Sequence, residues 1–263
     1  MNSPVARRRH PAAFLLLLLG ALAVVGTLYA LATADSTARA AGNPHSETQV
    51  AEGKALYLEG CASCHGLNAE GTSVAPSLVG VGAASVHFQV ATGRMPLADP
   101  SVQVLRKDPT YDAEQIAALA AYIATTGAGP AIPTAEELDT TNADLARGGE
   151  LFRTNCAQCH NFAGSGAALT QGKAAPSLMK ATPQEIYEAM LTGPQNMPVF
   201  GDGTLTVEDK QDILAYVGHL QTQTQPGGFS LGSFGPVTEG AFLFTVGVAV
   251  MAAAAIWIGA KLR

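Results

Sequence analysis

A five-residue pattern occurs twice and constrains most of what this chain can become: Cys61-Ala-Ser-Cys64-His65 and, 95 residues later, Cys156-Ala-Gln-Cys159-His160. These two places use all 4 cysteines of the chain. Two thiols at a two-residue gap, with an imidazole directly after the second, suit covalent attachment of c-type haem. The thiols form thioethers to the vinyl groups and the imidazole ligates the iron. A zinc site built from two Cys-x-x-Cys knuckles would need the pairs at ribbon spacing, and zinc gives no reason for a histidine to follow both. A redox dithiol needs no adjacent histidine, and no βαβ pattern surrounds either pair. The expectation is two covalently bound haems c, attached through Cys61, Cys64, Cys156 and Cys159, with His65 and His160 as iron ligands.

The sequence around the two motifs repeats as well. Ala51-Glu-Gly-Lys-Ala-Leu-Tyr57 aligns with Ala146-Arg-Gly-Gly-Glu-Leu-Phe152 at the same offset, and Ala75-Pro-Ser-Leu78 recurs as Ala175-Pro-Ser-Leu178. Met95-Pro96 recurs as Met197-Pro198, and a closing helix near 112–125 recurs near 209–220. Apolar residues at helical spacing (Ile116, Leu119, Ala120, Ile123) mark that helix, and no stretch alternates well enough to predict a strand. The fold class expected is all-α: two tandem copies of one haem-binding unit, the second with an extra loop around 164–173. Residues 46–127 form the first unit, 128–144 a Pro-containing acidic linker and 145–222 the second unit.

A low-spin haem that carries electrons needs a second axial ligand, and a thioether raises the potential relative to bis-histidine ligation. Met95 and Met197 are the candidates, since each occupies the same place in its repeat and precedes a proline that stiffens the loop. His87 is a rival at the first site only, because the second repeat has no counterpart. Met179 and Met190 read as packing residues, and His10, His45 and His219 as solvated. A ligating imidazole usually donates its other N–H to an acceptor, and the carbonyls of Pro76 and Pro176 are candidates for that role, with a plain turn as the alternative. Gly53 with Tyr57, and Gly148 with Phe152, read as places where the first helix of each unit crosses the closing helix against Tyr122 and Tyr216.

Both ends of the chain are apolar. Arg7-Arg8-Arg9 precede an uncharged run over 12–34, so residues 1–40 read as an export signal or signal-anchor. Small-x-small cleavage sites end at Ala34 and Ala40, yet the run is also long enough to span a bilayer, and both outcomes stand. After a Gly-rich segment at 223–238, residues 239–260 read as a transmembrane helix, followed by Lys261 and Arg263 on the cytoplasmic side. The haem units are then expected outside the cytoplasm, on the cell membrane. Net charge is −6 overall. Between residues 42 and 236, however, there are only 9 Lys and Arg against 19 Asp and Glu, which gives no reason to expect nucleic acid as a partner.

With these motifs in place the chain resembles the dihaem cytochrome c subunit of the cytochrome bc1 complex of the bcc–aa3 supercomplex type, found in actinobacteria that lack a separate mobile cytochrome c. The resemblance covers nearly everything after the signal. Its most specific stretches are Val86-His-Phe-Gln-Val-Ala-Thr-Gly-Arg-Met-Pro96, Arg147-Gly-Gly-Glu-Leu-Phe-Arg-Thr-Asn-Cys156, Ala189-Met-Leu-Thr-Gly-Pro-Gln-Asn-Met-Pro198 and Gly227-Gly-Phe-Ser-Leu-Gly-Ser-Phe-Gly-Pro236. A Tyr is common in that family where this chain has His87. The resemblance implies class I cytochrome c domains with His65/Met95 and His160/Met197 ligation. It implies a cytochrome b subunit, a Rieske iron–sulfur subunit and an aa3-type oxidase as partners, and electron transfer within a quinol–cytochrome c reductase. The chain would then be a carrier with no substrate site of its own. Two other classes share part of the pattern. A dihaem peroxidase needs an open sixth position, whereas both repeats here supply a methionine. A dihaem subunit of a cbb-type oxidase or an alcohol dehydrogenase would differ in anchoring and partners.

Overall fold

The computed structural model describes residues 11–40, 46–97, 101, 103–223 and 236–261. Arg7-Arg8-Arg9, His10, His45, Arg263 and nearly all of the Gly227 to Pro236 stretch lie outside the described residues. The helices are α1 (Pro11–Ala40), α2 (Glu47–Gly60), α3 (Ala62–His65), α4 (Gly82–Ala91), α5 (Ala113–Ala124), α6 (Leu145–Asn155), α7 (Ala157–His160), α8 (Pro183–Thr192), α9 (Val207–Thr222) and α10 (Pro236–Lys261). The fold is mostly helical, with two cytochrome c-like repeats and a C-terminal apolar helix, as the sequence predicts. One small exception sits in the extra loop of the second repeat, where β1 (Ala167–Ala168) and β2 (Ala174–Ala175) form an antiparallel two-residue ladder. Two residues carry no periodicity, so no sequence pattern announces it.

By spatial contact the chain divides into one unit of Met1–Ala83 with Ala117–Ala131 and another of Ala84–Ile116 with Ile132–Arg263. Segment 84–116 therefore groups with the second unit, although the repeat that contains it in sequence runs 46–127.

In the first unit α2 crosses the end of α5 without a spacer. A Cβ on Gly53 would collide with the carbonyl oxygen of Ala118, and the rings of Tyr57 and Tyr122 pack with centroids 5.3 Å apart. Burial pushes the Tyr57 phenol up to about 12, with Cys61, Tyr122 and Glu70 adding to the shift. The phenol stays protonated and donates to the Gly66 carbonyl at 2.7 Å, tying α2 to the residue after His65.

The second unit repeats this crossing between α6 and α9. A Cβ on Gly148 would collide with the Asp212 carbonyl, and Phe152 packs on Tyr216 at 5.4 Å. Phe152, Ile186, Tyr187, Met190, Ile213, Leu214 and Val217 form the core, which makes Met190 a packing residue, and Leu138 from the expected linker leans against it. Helices α8 and α9 each open with a capping box, Thr182 with Glu185 and Thr206 with Asp209, which satisfies backbone donors that a helix start leaves free. Lys210 is fully buried in α9. Its Nζ donates to Asp202 at 2.7 Å and lies 5.6 Å from the centre of the Tyr187 ring. Segment 84–116 joins this unit through two glutamine clamps. Gln103 exchanges hydrogen bonds with the backbone of Ala174, and Gln195 with the backbone of Val104.

Helix α10 is an apolar helix with an exposed surface. Residues Glu239–Lys261 have a mean hydropathy of 2.3 with none of the span buried, and theirs is the one helix among the described residues long and apolar enough to cross a membrane. In α1 the described apolar stretch Leu15–Tyr29 is shorter. Lys261 Nζ sits 4.4 Å from the Trp257 ring centre, a cation and an aromatic side chain together at one end of the span.

Candidate haem centres

Each Cys-x-x-Cys-His motif forms a single helical turn, α3 or α7, directly after a long helix. The backbone holds the turn: His65 N and His160 N donate to the carbonyls of Cys61 and Cys156, both at 2.9 Å. A second set of bonds then aims the imidazole. His65 Nδ1 lies 2.8 Å from the Pro76 carbonyl and His160 Nδ1 lies 2.9 Å from the Pro176 carbonyl, so the ring N–H donates there and Nε2 keeps its lone pair. Ser77 and Ser177 close the same turns, their hydroxyls donating to Ala69 and Gly164 and accepting from Val79 and Met179.

Two glycines missing from the sequence reading make this approach possible. Gly71 (φ +85) and Gly166 (φ +83) each donate to the carbonyl of the motif histidine, and a Cβ on either would press into the backbone at Pro76–Ser77 or Pro176–Ser177. Both lie six residues after their histidine, a shared spacing that a closer comparison of the repeats would have found.

No disulfide links the cysteines. Burial, with the neighbouring Cys159 adding, pushes the Cys156 thiol up to about 11, and burial also raises Cys61. Burial lowers His160 below its ordinary value against the opposing pull of Pro176, so the ring is neutral at pH 7. Among the described residues there is no group of three or more His, Cys, Asp or Glu side chains placed to hold a metal ion.

In the second unit one cavity gathers Cys156, Cys159, His160, Pro176 and Met197 in its wall. The Met197 loop is pinned by Met197 N to Pro194 O at 3.1 Å and by Phe200 N to Met190 O at 2.8 Å. In the first unit Cys61, Cys64, His65 and Pro76 lie together, while Met95 belongs to segment 84–116. There Met95 N donates to Gln89 O at 2.9 Å, Lys107 N to Thr92 O at 3.2 Å and Lys107 Nζ to Pro96 O at 2.6 Å. His87 does not stand free: its Nδ1 is 2.8 Å from the fully buried Glu188 carboxylate, which also accepts from Gln184. His219 is exposed.

The same cavity has contributors that the motif does not predict. Phe88, Thr92, Arg94, Gln103 and Arg106 complete its wall from segment 84–116. Arg106 forks onto both Glu185 oxygens at 2.8 Å. Arg94 is buried over the face of Phe88, 4.9 Å from the ring centre, and burial lowers its pKa, with Arg106 adding and Glu185 opposing. Two thiols, a neutral imidazole with a free Nε2, a thioether and a buried cation in one wall form a donor set that fits covalently attached haem.

Comparison with known proteins agrees with this chemistry. The family model for cytochrome c matches residues 50–127, and the model described as cytochrome c oxidase, cbb3-type, subunit III matches residues 143–217. A cytochrome bc1 complex cytochrome c subunit of Corynebacterium efficiens is 45% identical over 97% of this chain and 90% of its own length. The Mycobacterium leprae protein of the same name is 47% identical over 94% of this chain and 87% of its length. That of Corynebacterium diphtheriae is 44% identical over 97% of both. Cytochrome c domains bind haem c, and at this identity and coverage the chain belongs to the family of cytochrome bc1 complex cytochrome c subunits.

Proposed function

We propose that the chain is a membrane-anchored dihaem cytochrome c that relays electrons within a quinol–cytochrome c reductase, from a Rieske protein towards an aa3-type oxidase. The observation that carries this reading is the cavity in which Cys156, Cys159, His160 and Met197 converge, together with the repetition of its motif turn at Cys61, Cys64 and His65. Bound haem supplies one-electron chemistry at its iron. The residues do the rest. The cysteines fix the macrocycle, and the carbonyls of Pro76 and Pro176 hold each imidazole in the tautomer that presents Nε2. Met95 and Met197 are assigned as the sixth ligands. With Met95 and Met197 as ligands, neither site would offer an open place for peroxide, which separates this reading from a dihaem peroxidase.

The cytochrome b and Rieske subunits are the assigned partners within the complex. Helix α10 is assigned as the membrane anchor, with Lys261 on the cytoplasmic side and the haem domains outside. The complex is the enzyme, and this chain is its carrier.

Purification of the affinity-tagged chain from membranes tests the reading. A cytochrome b and a Rieske protein should co-purify, and the intact mass should include two haem additions. In a Cys61→Ala, Cys64→Ala variant the pyridine haemochrome assay should report one haem per chain. Co-purification with a cbb-type oxidase core would overturn the partner assignment, and a full haem complement in that variant would overturn the attachment sites.

A further inference from the structure

Arg94 is 8% exposed, and its Nε and Nη1 are buried without a hydrogen-bond partner. A guanidinium does not give up its proton to escape such a site, so the cost of burying the charge stands until an anion meets it. Glu185 is the carboxylate beside it, but both Glu185 oxygens are taken by Arg106 and one also accepts from the Thr182 N–H. Two guanidiniums therefore share one carboxylate, which leaves a positive charge in excess. That charge lies in the wall that also holds Cys156, Cys159, His160 and Met197.

We propose that Arg94 pairs with a propionate carboxylate of the haem carried by Cys156, Cys159 and His160. In sequence Arg94 directly precedes Met95, the ligand assigned to the other haem, but its neighbours Phe88, Arg106 and Glu185 line the second cavity. The propionates are the ionised groups on the haem edge, and the planar fork of arginine matches a carboxylate with two parallel N–H donors. The inference rests on the second motif being a haem site. It adds that segment 84–116 supplies that site with its counter-charge. The corresponding loop of the second repeat, Gly193-Pro-Gln-Asn-Met197, has no arginine, so the device is one-sided. A fixed positive charge disfavours the more positive oxidised state and raises the midpoint potential of the haem it faces.

The test is an optical redox titration of the purified complex with wild-type chain, Arg94→Gln and Arg94→Lys, with haem counted in each. The wave of the second haem is identified as the one that moves in Met197→His. Arg94→Gln should make that haem roughly tenfold harder to reduce at a fixed potential, a downward shift of about 59 mV for one electron, which is the scale of one charge acting through a partly buried medium. The other haem should be unmoved, and Arg94→Lys should stay within about threefold of wild type. An unmoved second haem in Arg94→Gln, a shift in the other haem alone, or a Lys variant as low as the Gln variant each overturns the pairing. If Arg94→Gln assembles poorly, Arg94→Lys decides: a near-wild-type potential supports the proposal and a tenfold loss overturns it. If wild type carried no haem at the second motif, haem counting and the absence of any wave responding to Met197→His would expose that earlier failure separately.

Discussion

In the first repeat, the residue after the motif histidine is Gly66, with φ +84 and ψ 159, and the phenol of Tyr57 bonds to its carbonyl. In the second repeat the same place is held by Asn161 at φ +67 and ψ 155, and the tyrosine is replaced by Phe152. The closing helix differs in the same way: the first repeat has buried Ile116 where the second has buried Lys210. What does not differ is the close approach of backbone to backbone at the helix crossings and the proline turns. Gly53 and Gly148 face carbonyls, Gly71 and Gly166 face the proline turns, and the histidines bond to Pro76 and Pro176. Side-chain neighbours can exchange roles, whereas a clash with a carbonyl has no side-chain remedy.

The strongest way to break that comparison is at the helix crossings. Alanine at Gly53 or Gly148 would gain about 1 kcal/mol of helix propensity, but any Cβ there runs into Ala118 or Asp212, and backbone cannot rotate away. Gly53→Leu and Gly148→Leu should each cost more than about 4 kcal/mol and unfold the unit they sit in. Each variant should lose one haem in the pyridine haemochrome assay. Full haem content with an unchanged melting temperature in either would show that the crossing has slack the structure does not reveal.

A smaller effect is expected where the repeats differ. Lys210 is an ammonium in a core, held by Asp202 and the Tyr187 face. Removing the partner leaves the buried charge uncompensated, so Asp202→Ala should destabilise by about 2–3 kcal/mol in urea unfolding. That is less than for a fully buried pair, because Asp202 is half exposed. Lys210→Ile makes the second repeat resemble the first and should be nearly neutral, since a hydrophobic side chain replaces a desolvated cation. If Lys210→Ile costs as much as Asp202→Ala, the ion pair itself, rather than the stranded charge, carries the stability.

The sequence made the repeat legible because its markers act locally. A Cys-x-x-Cys-His turn, a proline that accepts from histidine and a glycine at a crossing mean the same thing in any surroundings. Much of the cavity wall was not legible for the opposite reason. Arg94, Gln103, Arg106 and Glu185 matter only through residues far along the chain, and an arginine in a loop before methionine reads as solvated. The Glu188 carboxylate beside His87 is likewise distant in sequence. Helix α8 was hidden too. Its apolar pattern departs from that of α4, and only the shared ends Thr92-Gly93 and Thr192-Gly193 mark the two as counterparts, each threonine bonding back to the carbonyl four residues earlier.

The smallest predicted effect is the exchange of Gly66 and Asn161. At positive φ with ψ near 155°, the backbone occupies a region that glycine enters freely and other residues enter at a cost on the order of 1–3 kcal/mol. Asn161 offsets little of this, since its side chain accepts only a long bond of 3.4 Å from Ala163 N. Asn161→Gly should therefore stabilise the second unit by about 1 kcal/mol, after the greater freedom of glycine in the unfolded chain is set against the relieved strain. Gly66→Asn should destabilise the first by a similar or slightly larger amount, because a Cβ there also displaces the Glu70 carboxylate from its bond to Asn68 N. Thermal unfolding of the two variants, with haem content held equal, measures both signs. A loss of stability in Asn161→Gly would mean that the asparagine side chain holds the turn after His160, and that the two repeats reach one backbone conformation by different means.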